Sequence, residues 1–186
     1  MKRIRLVKVT RVLGIDPGLD GALAFLSDNG KLEVFDMPTI KVPTGRKSKK
    51  TGKMGTKREY DFARIRQLLL DYNPVFTVIE ELQIGGKPGE FKQSAQSIST
   101  TSKNYGILVG LLFGCNLSYE EVRAAVWQKE FFKGKTGNTK ELSYNSACKL
   151  FPEYCNLFMG VRGGKKDGRT DSSLISLFAR RKHLGK

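Results

Sequence analysis

TRVLGIDPGLDGALAFLSDNGKLEVFDM, residues 10–37, decides the fold. TRVLGID (10–16) reads as a strand ending on an acid, Asp16. Gly18 and Gly21 bracket a turn, and ALAFLS (22–27) is a second strand. Asn29-Gly30 is a strong signal for a tight hairpin, and KLEVFDM (31–37) completes an antiparallel trio. VFTVIE (75–80) is a near-continuous apolar run with β-branched residues, as in a buried central strand, and it ends in Glu80-Glu81.

Outward from these strands the pattern turns helical. EYDFARIRQLLLDY (59–72) places Phe62, Ile65, Leu68 and Leu69 on one face, and Asn73-Pro74 stops it. Residues 93–114 read as a long helix rich in small residues, and EVRAAV (121–126) as a short strand. Asn138 or Thr139 caps a helix that runs to Leu150, with Pro152 ending it. The last helix spans about Arg169 to Lys182, with Leu174, Ile175, Leu177 and Phe178 as its apolar face. The order β-β-β-α-β-α-β-α-α implies an α/β fold. It is a mixed sheet, an antiparallel trio followed by parallel strands, with helices on both faces of a single domain over residues 1–186.

Lys and Arg number 33 against 18 Asp and Glu, a net charge of +15, which favours a polyanionic partner such as nucleic acid. The excess is concentrated. Between Lys41 and Arg58 stand Lys41, Arg46, Lys47, Lys49, Lys50, Lys53, Lys57 and Arg58, with no acid among them. Gly, Ser and Thr fill much of the rest, so the segment is expected to be a flexible basic loop. A second basic, Gly-rich loop, VRGGKKDGR (161–169), carries Lys165, Lys166 and Arg169. Both loops are candidate DNA contacts. Cys115, Cys148 and Cys155 are too few and too scattered for a disulfide framework. No apolar run approaches ~20 residues, so no membrane span is expected. The expectation is an intracellular protein, cytoplasmic or nucleoid-associated in a bacterial or virus-infected cell, or organellar.

Against this basic background, four acids stand at element ends. Asp16 and Glu80 terminate strands, and Asp167 and Asp171 lie at the start of the final helix, four apart and able to share a face. Taken singly, each has an ordinary reading: a turn residue for Asp16, a strand-end acid for Glu80, an N-cap for Asp167 or Asp171. Together they can converge on one point. An all-carboxylate set suits Mg²⁺ or Mn²⁺ over zinc, and two such ions can drive phosphodiester cleavage. Glu80 and Glu81 point to opposite faces of a strand; Glu80, which directly ends the apolar run, is the preferred ligand.

Gly14-Ile15-Asp16-Pro17-Gly18 with Gly21-Ala22-Leu23-Ala24, then Val78-Ile79-Glu80, then Asp167-Gly168-Arg169-Thr170-Asp171, resemble in order and spacing the RuvC family of Holliday-junction resolvases, within the RNase H-like fold. Val126-Trp127-Gln128-Lys129 followed by Thr139-Lys140-Glu141 is similar to another family segment, in which a lysine opens a helix. The resemblance spans roughly residues 11–180. It implies a homodimer making paired symmetric nicks in four-way DNA junctions. It implies two Mg²⁺ per active site, with Mn²⁺ as substitute, held by Asp16, Glu80, Asp167 and Asp171. It also implies that Lys140 lies near the scissile phosphate. Phe91, after the Gly85-Gly86-Lys87-Pro88-Gly89 loop, is placed to touch a junction centre by stacking or wedging. The 93–114 helix is the candidate dimer element. Two features depart from the bacterial pattern and look more like viral, phage or organellar members: the final acids are four apart where three is common, and residues 41–58 are inserted.

Three other readings compete. An RNA-cleaving or transposase-like nuclease of the same fold would share the acids. An actin-like nucleotide-binding protein needs a second phosphate loop and an adenosine pocket, which the motifs do not supply, so no nucleotide cofactor is expected. A non-catalytic branched-DNA-binding protein leaves the acids unexplained, because carboxylates repel phosphate unless a cation lies between.

Overall fold

In a computed structural model, which describes residues 9–47, 51–83 and 94–185, the antiparallel trio forms as expected: β1 (Arg11–Asp16), β2 (Ala22–Ser27) and β3 (Leu32–Asp36). Two further strands follow, β4 (Thr39–Lys47) and β5 (Met54–Tyr60), then α1 (Phe62–Tyr72), β6 (Phe76–Glu80) and α2 (Ala95–Gly114). The chain continues through β7 (Tyr119–Val122), α3 (Ala124–Phe132), α4 (Thr139–Leu150), a 3₁₀ turn at Pro152–Phe158, and α5 (Asp167–Leu184). The main sheet runs in the order β3-β2-β1-β6-β7, with β1 antiparallel to β2 and parallel to β6.

Alternation along the central strands assigns the two faces. Leu13, Ile15, Leu23, Phe25 and Ile79 point to one side, where they pack with Ile65, Leu68 and Leu69 of α1 and Leu108 and Leu112 of α2. Val12, Ala24, Leu26 and Val78 point to the other, against Trp127 and Phe131 of α3, Ala147 of α4, and Leu174, Ile175 and Phe178 of α5. Each face buries enough apolar surface to make the layer arrangement the main source of stability.

Helix α5 lies deepest. Besides its apolar residues, Thr170, Ser172, Ser173 and Ser176 are buried. Their hydroxyls are satisfied locally: Thr170 donates to the Asp167 carbonyl at 2.7 Å, Ser173 to Arg169 at 2.7 Å and Ser176 to Ser173 at 2.7 Å. Small residues on the helix meet a glycine on the strand. A Cβ at Gly14 would stand 2.2 Å from the Ser172 carbonyl oxygen and 2.3 Å from the Ser176 nitrogen, so only glycine admits the helix at this distance.

Several expectations are corrected. The segment 41–58 is no structureless loop in its described part: β4 and β5 form a separate two-stranded ribbon, paired from Thr39↔Tyr60 to Lys47↔Met54. Val42, Thr44 and Thr56 supply β-branched residues, and Gly45 and Gly52 take the positive φ that the irregular pairing near the tip requires. The strand expected at 121–126 ends at Val122. The AAV that follows opens α3, because Trp127 and Phe131, four apart, both turn inward. The helix expected from 59 starts at Phe62, with Asp61 as N-cap accepting from the Arg64 nitrogen at 3.0 Å. Cys148 and Cys155, expected to be unpaired, form a disulfide; Pro152 ends α4, and the 3₁₀ turn folds back to bring their Cα atoms to 4.7 Å. No helix among the described residues is long and apolar enough to cross a membrane.

Candidate active site

Strand register builds the centre. Ile15 pairs with Ile79 in the parallel β1–β6 ladder, so the next residues, Asp16 and Glu80, leave the sheet side by side at its carboxyl edge. Both continue the face of Val12, Gly14 and Val78, which is the face that α5 covers. Glu81, beyond the end of β6, is engaged by another partner: its carboxylate accepts from the Arg123 guanidinium at 3.1 Å.

Helix α5 brings the other two acids. A Cβ at Gly168 would stand 2.4 Å from the Asp20 carbonyl oxygen and 2.6 Å from the Gly21 Cα. This close approach seats the start of α5 on the turn that follows Asp16. Asp167 is the first helical residue, and Asp171 lies one turn on.

The electrostatics register the crowding. Burial, with the charges of Glu80, Asp167 and Asp20, pushes the Asp16 carboxyl up to about 7 against a bond from the Gly18 backbone. Burial and the charges of Asp16 and Asp167 likewise push Asp171 up to about 7; the Ser143 hydroxyl and Lys140 oppose this. Glu80 is raised too, first by burial and then by Asp171, while a bond from Trp127 works the other way. Four carboxylates thus sense one another at one edge of a protein whose net charge is +15.

Three of the four acids are also held by a side-chain donor. Trp127 Nε1 donates to Glu80 Oε2 at 2.8 Å. The Ser143 hydroxyl donates to Asp171 Oδ1. Lys140 Nζ lies 2.6 Å from Asp167 Oδ2. With these donors in place, no three carboxylates among the described residues are gathered closely enough to enclose an ion as they stand. The donor set nonetheless fits a hard divalent cation. It is all oxygen, and two of its members sit so close to neutrality that a nearby positive charge would be the natural means of ionising them.

Trp127 and Ser143 were not among the residues singled out for the site. Trp127 is the chain's one tryptophan, and Ser143 stands three residues after Lys140 on α4, the spacing of a shared helix face. Both signals were available but not distinctive. Among the expected DNA contacts, Arg46, Lys47 and Lys53 lie exposed on the ribbon. Lys165 pairs with Glu141, and Lys166 is exposed at the N-cap of α5. Arg169 is engaged internally: its guanidinium grips Asp36 through two bonds, at 2.5 and 2.8 Å, and donates to the Leu157 carbonyl at 2.8 Å. With its donors directed into the protein, Arg169 ties α5 to β3 and offers little to a ligand. Lys49, Lys50 and Phe91, with the loop at 85–89, lie outside the described residues.

No protein-family model matches the sequence, and no curated protein matches it. Solved structures do. The chain is similar to Thermus thermophilus RuvC, with a TM-score of 0.54 at 15% identity, over 95% of this chain and 97% of that one. It is similar to T. thermophilus RuvC in complex with Holliday junction substrate, with a TM-score of 0.55 at 13% identity, over 95% of this chain and 96% of that one. The chain therefore has the RuvC-like, RNase H-like fold, across nearly its whole described length.

Proposed function

We propose that this protein is a divalent-metal-dependent DNA endonuclease that resolves four-way junctions. The observation that carries the reading is the convergence of Asp16 and Glu80, from adjacent parallel strands, with Asp167 and Asp171 from α5. The likeness to RuvC supports the same fold, and the cleft beside the acids carries Arg58, Lys165 and Lys166 on its walls, as a DNA-cutting centre needs.

Asp16, Glu80, Asp171 and Asp167 would hold a pair of Mg²⁺ ions, with Mn²⁺ able to substitute. Such ions supply an activated water and neutralise charge on the phosphate. The chain's own contribution is orientation. Trp127 fixes Glu80, Ser143 fixes Asp171, and Lys140 brings a cation to Asp167 that can turn to a phosphate oxygen as negative charge develops.

Paired symmetric nicks require two centres, and we propose a homodimer assembled through α2. Leu108 and Leu112 bury one face of this helix, while Ile107 and Phe113 leave apolar surface open on it. Sedimentation with and without DNA tests the assembly; a monomer in both would overturn it. Cleavage of a synthetic four-way junction in Mg²⁺, mapped to the nucleotide, tests the function. Symmetric nicks on opposing strands are expected. Preferential cutting of an RNA–DNA hybrid would instead assign the centre to an RNA-cleaving relative of the same fold.

A further inference from the structure

We infer that the β4–β5 ribbon and the tight turn at 159–165 form the two walls of a clamp that grips the phosphates of one duplex DNA arm beside the acidic centre. This rests on the nuclease reading above and specifies which surfaces hold the substrate.

The ribbon stands apart from the main sheet. Among the described residues its two strands form a ladder only with each other, and both faces are largely exposed, including Ile40 at 45% and Met54 at 48%. Two strands alone are marginal in water, so the anchorage at the base matters. There the Arg58 guanidinium bonds Asp20 at 2.6 Å and the Leu19 carbonyl, and the Tyr60 hydroxyl donates to the Pro17 carbonyl. The ribbon is thereby fixed to the turn that directly follows Asp16. Its cations divide into two groups. Lys57 is paired with Glu59 at 2.6 Å and Arg58 with Asp20. Lys41, Arg46, Lys47 and Lys53 are exposed and have no ion-pair partner among the described residues.

Across the cleft stands the second wall. Met159 bridges Lys165, and the Gly160 nitrogen donates to the Gly164 carbonyl at 2.7 Å, which closes a tight turn with Arg162 exposed near its tip. Lys166 follows. The cleft between the walls is lined by Asp20, Asp36 and Asp167 together with Arg58, Lys165 and Lys166. Cations and carboxylates share this lining, and Arg58 and Asp20 pair with each other. A bound polyanion must therefore rest on the exposed cations of the walls and meet the carboxylates only where cations bridge the two.

Duplex fits better than single-stranded DNA. Strand-binding grooves stack bases on aromatic rings, and Tyr60, buried at the base, is the one aromatic residue on either wall. A two-stranded ribbon also has the width that a DNA groove admits.

The test is binding without divalent cations, measured by fluorescence anisotropy across a NaCl series, on a four-way junction and on a duplex the length of one arm. R46A/K47A/K53A should bind both at least tenfold more weakly near 150 mM salt. Three lost phosphate contacts at about 0.9 each should flatten the log–log salt slope by about 2.7. R162A should flatten it by about 0.9. K129A/K133A/K149A, which removes three cations from α3 and α4 and the segment between, should leave the slope unchanged. The glutamine versions of the ribbon sites keep the measurement readable if alanine disturbs the strands. An intact slope in the ribbon variant overturns the clamp while leaving the nuclease reading in place, and so does an equal loss in the α3–α4 control. Failure of the wild-type protein to bind the junction overturns both.

Discussion

Lys140 Nζ meets Asp167 Oδ2 at 2.6 Å, joining the first turn of α4 to the first turn of α5. The lysine side chain is 71% exposed, so solvent screens the pair and it adds little to stability. Its value is positional, at the edge of the acid cluster. Lys140→Ala is expected to leave the melting temperature nearly unchanged while slowing single-turnover cleavage more than threefold, on the order of the loss of one charge-stabilising group. A rate within threefold of wild type would reduce Lys140 to a surface lysine.

The four acids are not equivalent to their neighbours. Asp16→Asn should lower cleavage on the order of 100-fold or more while keeping junction affinity, which depends on phosphate contacts elsewhere. Glu80→Gln should behave alike, and Glu81→Gln, whose carboxylate is already paired with Arg123, should stay active. An inactive Glu81→Gln beside an active Glu80→Gln would reverse the assignment of that strand end.

Asp16 and Asp171 are both raised from an ordinary value of 3.8 to about 7. Below pH 4 these groups are protonated whether the chain is folded or not. Between there and pH 7 the folded chain keeps protons that the unfolded chain has lost, so the stability they confer falls as pH rises through this window and levels off above it. Divalent cations bind the ionised form. The rise in melting temperature caused by Mg²⁺ should therefore be small at pH 6, larger at pH 8, and half-developed near 7. Differential scanning fluorimetry with and without Mg²⁺ checks this, and a pH-independent rise would dissociate the metal from these carboxylates.

Gly14→Ala should be costly, although alanine is a mild change elsewhere. Its Cβ would meet backbone atoms of α5 at 2.2 and 2.3 Å, and neither partner is a side chain that can turn aside. Overpacking of this kind costs roughly 1–3 kcal/mol, or about 2–4 °C of melting temperature per kcal/mol in a chain of this size. Cleavage should fall further than stability, because displacement of α5 carries Asp171 away from Asp16. A variant that melts normally but cuts slowly would still support this geometry; normal melting and normal cutting together would contradict it.

Much of this was legible in the sequence because it depends on backbone periodicity. The strands that end at Asp16 and Glu80 follow from runs of apolar and β-branched residues closed by an acid. The ribbon was not legible, because lysine and arginine density between residues 41 and 58 masks the modest β-propensity of Val42, Thr44 and Thr56. In α3 the run AAV resembles a strand, and only the tertiary burial of Trp127 and Phe131 makes it a helix. The Cys148–Cys155 bond depends on a chain reversal at Pro152 that spacing does not reveal. Trp127 and Ser143 act on the acids through contacts between elements far apart in the chain, which a lone tryptophan and a shared helix face do not by themselves reveal.

The seating of α5 against β1 also bears on how much sequence change the site can tolerate. Helix and strand touch main chain to main chain at Gly14, and again where Gly168 meets the turn after Asp16. The acids are thus located by two glycines and one strand register, with little dependence on which apolar residues fill the layers behind them. A core free to exchange leucine for isoleucine or phenylalanine can drift until little of the text is shared, while the carboxylates stay where they are. On such a frame, shape tolerates wide differences in wording, and the chain keeps the fold of a RuvC over nearly its full length at 13% identity.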